Sequence, residues 1–254
     1  MAVCYRTEGF VFKKDDRFEA DRIFTVFCRD FGKIKVLGRA IRKIASKLRS
    51  GIDIFYLSEI EFIQGKSQKT LTDAIALEKF KNIGKDLIKL KTSYQIAQIL
   101  DRFIKGSEKD DKIWDLIAET FEKLNRQEPE NIYYFFLWNF FSILGYKPEL
   151  FHCVICQKKL NPDIIYFSSK EGGTICHICG KNRLATQRAR PEQYRRVDSD
   201  LIKILRLILK NSWQIVSRLK IQPPLQKLLK EVSEDYCSYL CSEDRGTGFK
   251  PESI

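Results

Sequence analysis

Four cysteines in the chain are spaced for metal chemistry. Cys153 and Cys156 enclose two residues in CVIC, and Cys176 and Cys179 do the same in CHIC. Two intervening residues let both thiolates of a knuckle turn toward one ion, and a returning loop brings the second pair opposite. The product is a tetrahedral S4 site with Zn–S bonds of roughly 2.3 Å. Between the pairs lies SSKEGGT, a glycine-containing hairpin turn that a zinc ribbon requires. The alternative is a reduced cluster that no longer holds metal. Four thiolates leave no coordination position for water or substrate, so the expected Zn2+ is structural rather than catalytic. It ties a segment with too little apolar content to fold alone into a subdomain. Lys158, Lys159, Lys181 and Arg183 are near enough in sequence to offset the formally dianionic centre. His152 and His177 adjoin cysteines and are expected outside the ligand set.

A second segment points to binding. FGKIKVLGRAIRKIASKLRSG, from Phe31 to Gly51, carries Lys33, Lys35, Arg39, Arg42, Lys43, Lys47 and Arg49 and no acidic residue. Seven like charges in so short a span repel one another and need open water or a polyanion. The whole chain of 254 residues has 45 Lys and Arg against 33 Asp and Glu, a net charge of +12. That excess favours nucleic acid or an anionic membrane surface as partner and says nothing about fold. Farther on, KNRLATQRARPEQYRR offers Arg183, Arg188, Arg190, Arg195 and Arg196 as a secondary basic patch.

Other fragments fail as catalytic motifs. GKS at Gly65–Ser67 ends like a phosphate loop, but Ile60 stands where its first glycine belongs. DFG at Asp30–Gly32 has no accompanying Gly-rich or HRD segment and reads as a turn. There is no HExxH, and no HxE precedes the cysteine pairs. With two histidines in all, acid–base catalysis near neutral pH is poorly provided for. Carboxylates are plentiful but unpatterned, which argues against a nuclease. The chain reads as a binding protein, not an enzyme. Its start, MAVCYRTEGF, has charges where a signal core would lie. The most apolar run, Ile132–Tyr146, is too short to span a bilayer. The expectation is a soluble, cytoplasmic protein. In a reducing compartment the remaining Cys4, Cys28, Cys237 and Cys241 are read as small buried hydrophobes.

The elements that must hold these groups follow from periodicity. The first eighty residues alternate like strands: TEGFVFKK, RIFTVFCRD, KIKVLGRAI, DIFYLSEIEFIQG and TLTDAIALEKF, joined by the turns DDRFEAD and DFGK. Five short strands suit a closed OB-type barrel. Lys33 and Lys35 share one strand face, and Arg39, Arg42, Lys43 and Lys47 follow at roughly helical spacing. From about Glu78 the period becomes helical. Ile83, Leu87, Leu90, Tyr94, Ile96 and Ile99 mark one helix, and Ile113, Leu116, Ile117, Phe121 and Leu124 a second that starts at paired aspartates. The aromatic run is a buried third helix stopped at GYKP. DSDLIKILRLILKNSWQIVSRL and PPLQKLLKEVSEDYCSYL supply the last helices. The fold class is α+β and multidomain. Residues 1–79 form an OB-fold nucleic-acid-binding domain, and 80–148 and 185–242 two parts of an all-α domain. Residues 149–184 are an inserted Cys4 zinc-ribbon-like subdomain, and 243–254 a flexible tail.

The stretch TEGFVFKKDDRFEADRIFTVFCRDFGKIKVLGRAIRKIASKL resembles the N-terminal domain of the RecO recombination mediator proteins of bacteria. The residues that carry the resemblance are Gly9, Glu19, Asp21, Arg22, Gly32, Lys33, Gly38, Arg39, Arg42, Lys43 and Ser46. It continues through the helices and the paired CxxC insert, and departs in the LGRAIRK step and in the unusually aromatic third helix. The resemblance implies a non-enzymatic DNA-repair and recombination factor, nucleoid-associated in the cytoplasm. Such a factor binds single- and double-stranded DNA and anneals complementary strands. It also implies partners: RecR, the single-strand binding protein SSB, and indirectly RecA, which it helps to load on SSB-coated strands. The rival reading is a zinc-ribbon RNA-binding protein or a transcription or translation factor.

Overall fold

The computed structural model describes residues 3–127, 131–161, 164–185 and 193–243. The chain divides into two compact units, Met1–Phe136 and Leu137–Ile254. In the first, five strands close into a barrel: β1 (Cys4–Arg17), β2 (Asp21–Cys28), β3 (Gly32–Gly38), β4 (Leu57–Gln64) and β5 (Lys69–Glu78). They run round the barrel in the order β1-β2-β3-β5-β4. All neighbours are antiparallel except β3 and β5, which close the cylinder as a parallel pair at Val36↔Lys69 and Leu37↔Thr70. That is the expected OB-type barrel.

The alternation read in the sequence fills it. Val11, Phe24, Val26, Ile34, Val36, Ile60, Phe62 and Leu71 are buried together inside, while Lys35 between Ile34 and Val36 points out. A bulge between Val11 and Lys13 shifts the register of β1. Phe10 and Phe12, on the outer face, are buried as well. Helices α1 (Leu87–Phe103) and α2 (Asp111–Arg126) cover that side. Phe10 lies 4.1 Å, centroid to centroid, from Phe121 of α2, and Phe55 5.0 Å from Tyr94 of α1. Both helices start on aspartates. Asp86 accepts from the Ile88 and Lys89 amides, and Asp110 from the Ile113 amide.

Sequence spacing placed the buried face of α1 correctly at Ile96 and Ile99 and incorrectly at Leu87 and Tyr94. Leu87, Ile88 and Tyr94 are exposed, and the buried residues of the helix are Lys89, Thr92, Ser93, Ile96, Ala97, Ile99 and Leu100. The polar members need partners there, and Ser93 donates back to the Lys89 carbonyl at 2.9 Å.

The unit boundary falls within α3 (Ile132–Ile143), the expected buried aromatic helix. It ends at Gly145, where φ is +91° and the Tyr146 amide reaches back to the Phe141 carbonyl at 2.8 Å. Its one amide side chain is satisfied: Asn139 donates to the Ile208 carbonyl at 3.1 Å. The second unit also holds a three-stranded sheet ordered β7-β6-β8, from β6 (Ile165–Ser168), β7 (Gly173–Cys176) and β8 (Arg195–Val197). Helices α4 (His177–Ala185), α5 (Ser199–Ile208), α6 (Trp213–Val216) and α7 (Pro223–Glu243) complete it. The run read as one helix from Asp198 to Leu219 is two, α5 and α6. It breaks at Asn211, whose φ of +54° no helix accommodates. Among the described residues no helix is long and apolar enough to cross a membrane. The expected tail lies, from residue 244 on, outside the described residues.

Candidate nucleic-acid interface and metal centre

The basic segment leaves the barrel at Gly38 and returns to it at Gly51. It is not the turn of helix that its spacing suggested. It is a chain of tight turns, with Lys43 N–H bonded to Ala40 C=O and Ser46 N–H to Lys43 C=O, ending in a short 3-10 turn at Lys47–Ser50. Its apolar residues anchor it: Ile41 and Ile52 are buried in the barrel core and Leu48 packs against them. Its polar anchors come from distant strands. The Asp21 carboxylate accepts from the Ala40 amide at 2.7 Å, and the Arg42 amide donates to the Ala20 carbonyl at 3.0 Å. At the far end a side chain on Gly51 would run into the Ala74 carbonyl of β5, and Ser58 donates to the Gly51 carbonyl at 2.8 Å. The segment is therefore pinned at both ends to the cylinder.

With its apolar side held down, the segment turns its cations outward. Arg39, Arg42, Lys43, Lys47 and Arg49 are all exposed, as is Lys35 on the adjacent strand. Lys35, Arg39, Lys43, Lys47 and Arg49 form no ion pair among the described residues. Arg42 is partly engaged, 3.6 Å from Asp16. The Arg22 guanidinium hydrogen-bonds Asp16 at 2.7 Å and holds its carboxyl below the usual carboxylate range. The Asp21–Arg22 step seen in the sequence thus acts through the fold: one side chain pins the loop and the other occupies its nearest acid.

Lys33 departs from the row. Its ammonium is 2.8 Å from Asp101 Oδ1 and donates to the carbonyls of Asp101 and Ile104. Its side chain is only 14% exposed, so Lys33 clamps the end of α1 to the barrel and has no donor left for a phosphate. Burial opposes ionisation of Asp101, but Lys33 and then Lys13 outweigh it and lower its pKa. A carboxyl lowered by folding adds stability above its unfolded value, roughly 3.9. That stability is lost as pH falls through the folded value. Lys33→Met leaves Asp101 and two carbonyls short of a donor. It is expected to cost roughly 1–3 kcal/mol of unfolding free energy and to flatten the acid limb of the stability curve. Denaturant titrations at neutral and acid pH check both.

The secondary patch is likewise thinned. Arg195 is held by Glu231 at 2.7 Å and by Asp235 at 2.7 Å, joining β8 to α7. Arg183 and Arg196 lie on the surface. Arg188 and Arg190 lie outside the described residues.

The four cysteines converge. The sulfurs of Cys153, Cys156, Cys176 and Cys179 all lie within 4.8 Å of one another. Cys153 and Cys156 come from a turn that Gln157 closes in the left-handed region, φ +59°, with its amide on the Cys153 carbonyl at 2.8 Å. Cys176 ends β7, and Cys179 sits in the first turn of α4. The expected SSKEGGT turn joins β6 to β7. The sulfurs of Cys156 and Cys176 are 3.8 Å apart, the edge of a sulfur tetrahedron with bonds of roughly 2.3 Å to a central ion. Burial opposes ionisation of Cys153, yet backbone amides at Cys156, Cys176 and Ile155 bring its thiol down to about 7. Burial, then hydrogen bonding to Cys176, Cys156 and Cys153, pushes Cys179 up to about 12. Thiols this close cannot all ionise without a cation among them. The donor set, all sulfur and closed, fits a structural metal ion. His152 instead faces Glu149 at 3.8 Å.

Comparison with known proteins covers almost the whole chain. Residues 1–80 match the family model for the recombination protein O N terminus, and residues 84–246 that for its C terminus. The chain is 31% identical over 218 residues to a DNA repair protein RecO of Dehalococcoides mccartyi, spanning 85% of this chain and 83% of that protein. It is 25% identical to the RecO of Desulfitobacterium hafniense, over 92% of this chain and 84% of that one. With the RecO of Moorella thermoacetica it shares 27% identity, over 94% of this chain and 87% of the other.

Proposed function

Because the chain belongs to the recombination protein O family, with a role in DNA repair and recombination, we propose that it is a non-enzymatic mediator that binds DNA through the pinned basic loop. The observation that carries the reading is the row of exposed, unpaired cations, Lys35, Arg39, Lys43, Lys47 and Arg49, held on a closed barrel. Cations without carboxylate partners keep their full charge for phosphates, and each contact releases condensed counterions. A surface that neutralises the phosphates of two strands lowers the repulsion that keeps them apart, so complementary strands anneal without a nucleotide cofactor. Arg42 joins the row when a phosphate displaces Asp16. On the second unit, the exposed Arg196 is a further candidate for phosphate contact.

Cys153, Cys156, Cys176 and Cys179 hold a structural Zn2+ that keeps their subdomain folded. The partners are single- and double-stranded DNA, RecR and SSB, and the outcome is loading of RecA on SSB-coated strands. The names of the relatives support the repair role, and the protein partners rest on the resemblance of the N-terminal segment.

The test is annealing of complementary oligonucleotides, naked and SSB-coated, with structured RNA as competitor. The expected result is annealing of both forms, suppressed by salt and little affected by the RNA. Absence of annealing, or preferential capture of the RNA, overturns the reading.

A further inference from the structure

Phe18 stands out in the turn between β1 and β2. The sequence suggests a longer turn, DDRFEAD, but β1 continues to Arg17 and pairs with Asp21. Only Phe18, Glu19 and Ala20 remain to reverse the chain. Phe18 is 79% exposed with φ of +53°, a left-handed backbone that a bulky side chain adopts only under strain. Single exposed hydrophobes are ordinary on protein surfaces. A strained aromatic held outward by specific contacts is not.

Two contacts hold it, and a third fixes one of the partners. The Arg17 guanidinium lies 5.4 Å from the centre of the Phe18 ring. The same guanidinium donates to Gln68 at 2.9 Å, in the turn between β4 and β5. Arg42 of the basic loop donates to the Phe18 carbonyl at 3.4 Å. Three connections of the barrel therefore meet at this turn, and they bring Arg17 and Arg42 to Phe18. Cations beside an outward aromatic match a sugar-phosphate chain with its bases splayed, because every base has a π face to stack. Duplex bases are already stacked and have no face to give.

We propose that Phe18 is a base-stacking side chain that gives the interface its preference for unpaired strands. The inference rests on the proposed DNA-binding reading and adds to it a contact with the bases. Stacking and phosphate pairing separate cleanly, since one needs bases and the other does not.

The test uses the full chain. Phe18→Gly removes the ring and suits the positive φ, so folding is preserved. Its affinity for a single-stranded oligonucleotide is expected to fall about tenfold, the scale of one stacked base. Affinity for a duplex of equal length, and the salt slope for both, stay as in the wild type. Phe18→Trp restores single-strand binding. Because Trp114, Trp138 and Trp213 are buried, the new indole is the one a strand can stack on, and the emission it adds is quenched by a normal strand and not by an abasic one. Unchanged single-strand affinity in Phe18→Gly, or equal weakening on duplex, overturns the stacking role while leaving phosphate binding intact. A wild-type chain that binds neither strand removes the interface itself, and the inference with it.

Discussion

Replacing Arg39, Lys43 and Lys47 together by alanine lowers the slope of log affinity against log salt, for single strands, by about 2. Three lost phosphate contacts at about 0.7 each give that figure. Between 50 and 200 mM salt, the wild type's loss of affinity then shrinks roughly 20-fold in the variant. The three residues are exposed and unpaired within the described structure, so their removal leaves no orphaned acid. Ile41, Leu48 and Ile52 still seat the loop. A fold change is not expected, and thermal unfolding of the variant controls for it. Lys33→Met provides the opposite pattern, with stability reduced and slope kept, because Lys33 is spent on Asp101. If the triple variant keeps the full slope, the phosphates are bound elsewhere.

Cys153→Ser has the largest expected effect on structure. Structural zinc contributes an apparent 10–16 kcal/mol or so in small metal-dependent folds, comparable to the roughly 5–15 kcal/mol that stabilises a whole domain. Around the four sulfurs the apolar cluster is small: Cys153, Ile175 and Tyr194 are its buried members. Loss of one ligand is therefore expected to unfold the β6–β7 hairpin and the Cys153 turn. Bound zinc, measured by elemental analysis, falls from one equivalent to near zero. Hydrogen exchange at Thr174 and Ile175 rises by orders of magnitude while the barrel amides stay protected. Chelation of the wild type gives the same pattern. Unchanged exchange in the variant would mean that packing alone holds the subdomain. Loss of all DNA binding on chelation would instead move the interface to the cysteine subdomain.

The barrel was legible because strand alternation is local. Ile34, Lys35 and Val36 declare their faces within three residues, and the CVIC and CHIC spacings declare a ligand set in the same local way. What escaped reading depended on partners far along the chain. Lys33 looks identical to Lys35 in sequence, and only Asp101, 68 residues away, separates their roles. Arg195 belongs to a basic run until Asp235 and Glu231 of α7 close on it. At its start the buried face of α1 departs from the apolar spacing that Ile96 and Ile99 follow, which leaves Leu87 and Ile88 in water. Asn211 reads as one polar residue in a helical run, and its left-handed backbone appears only in three dimensions. Phe18 gave one local sign, an aromatic among charges in a turn, which the alternation pattern discounts.

The carboxylate of Asp21 on the Ala40 amide, with Gly51 seated on Ala74, makes the shape of the basic segment a property of the finished cylinder. The cationic segment is contiguous, but the groups that give it shape lie on β2, β4 and β5, which come together only when the sheet closes. A peptide copied from residues 31–51 would keep the charge and lose the display. On the proposed reading, affinity for a polyanion therefore needs the closed cylinder, with the fifth strand joined to the third.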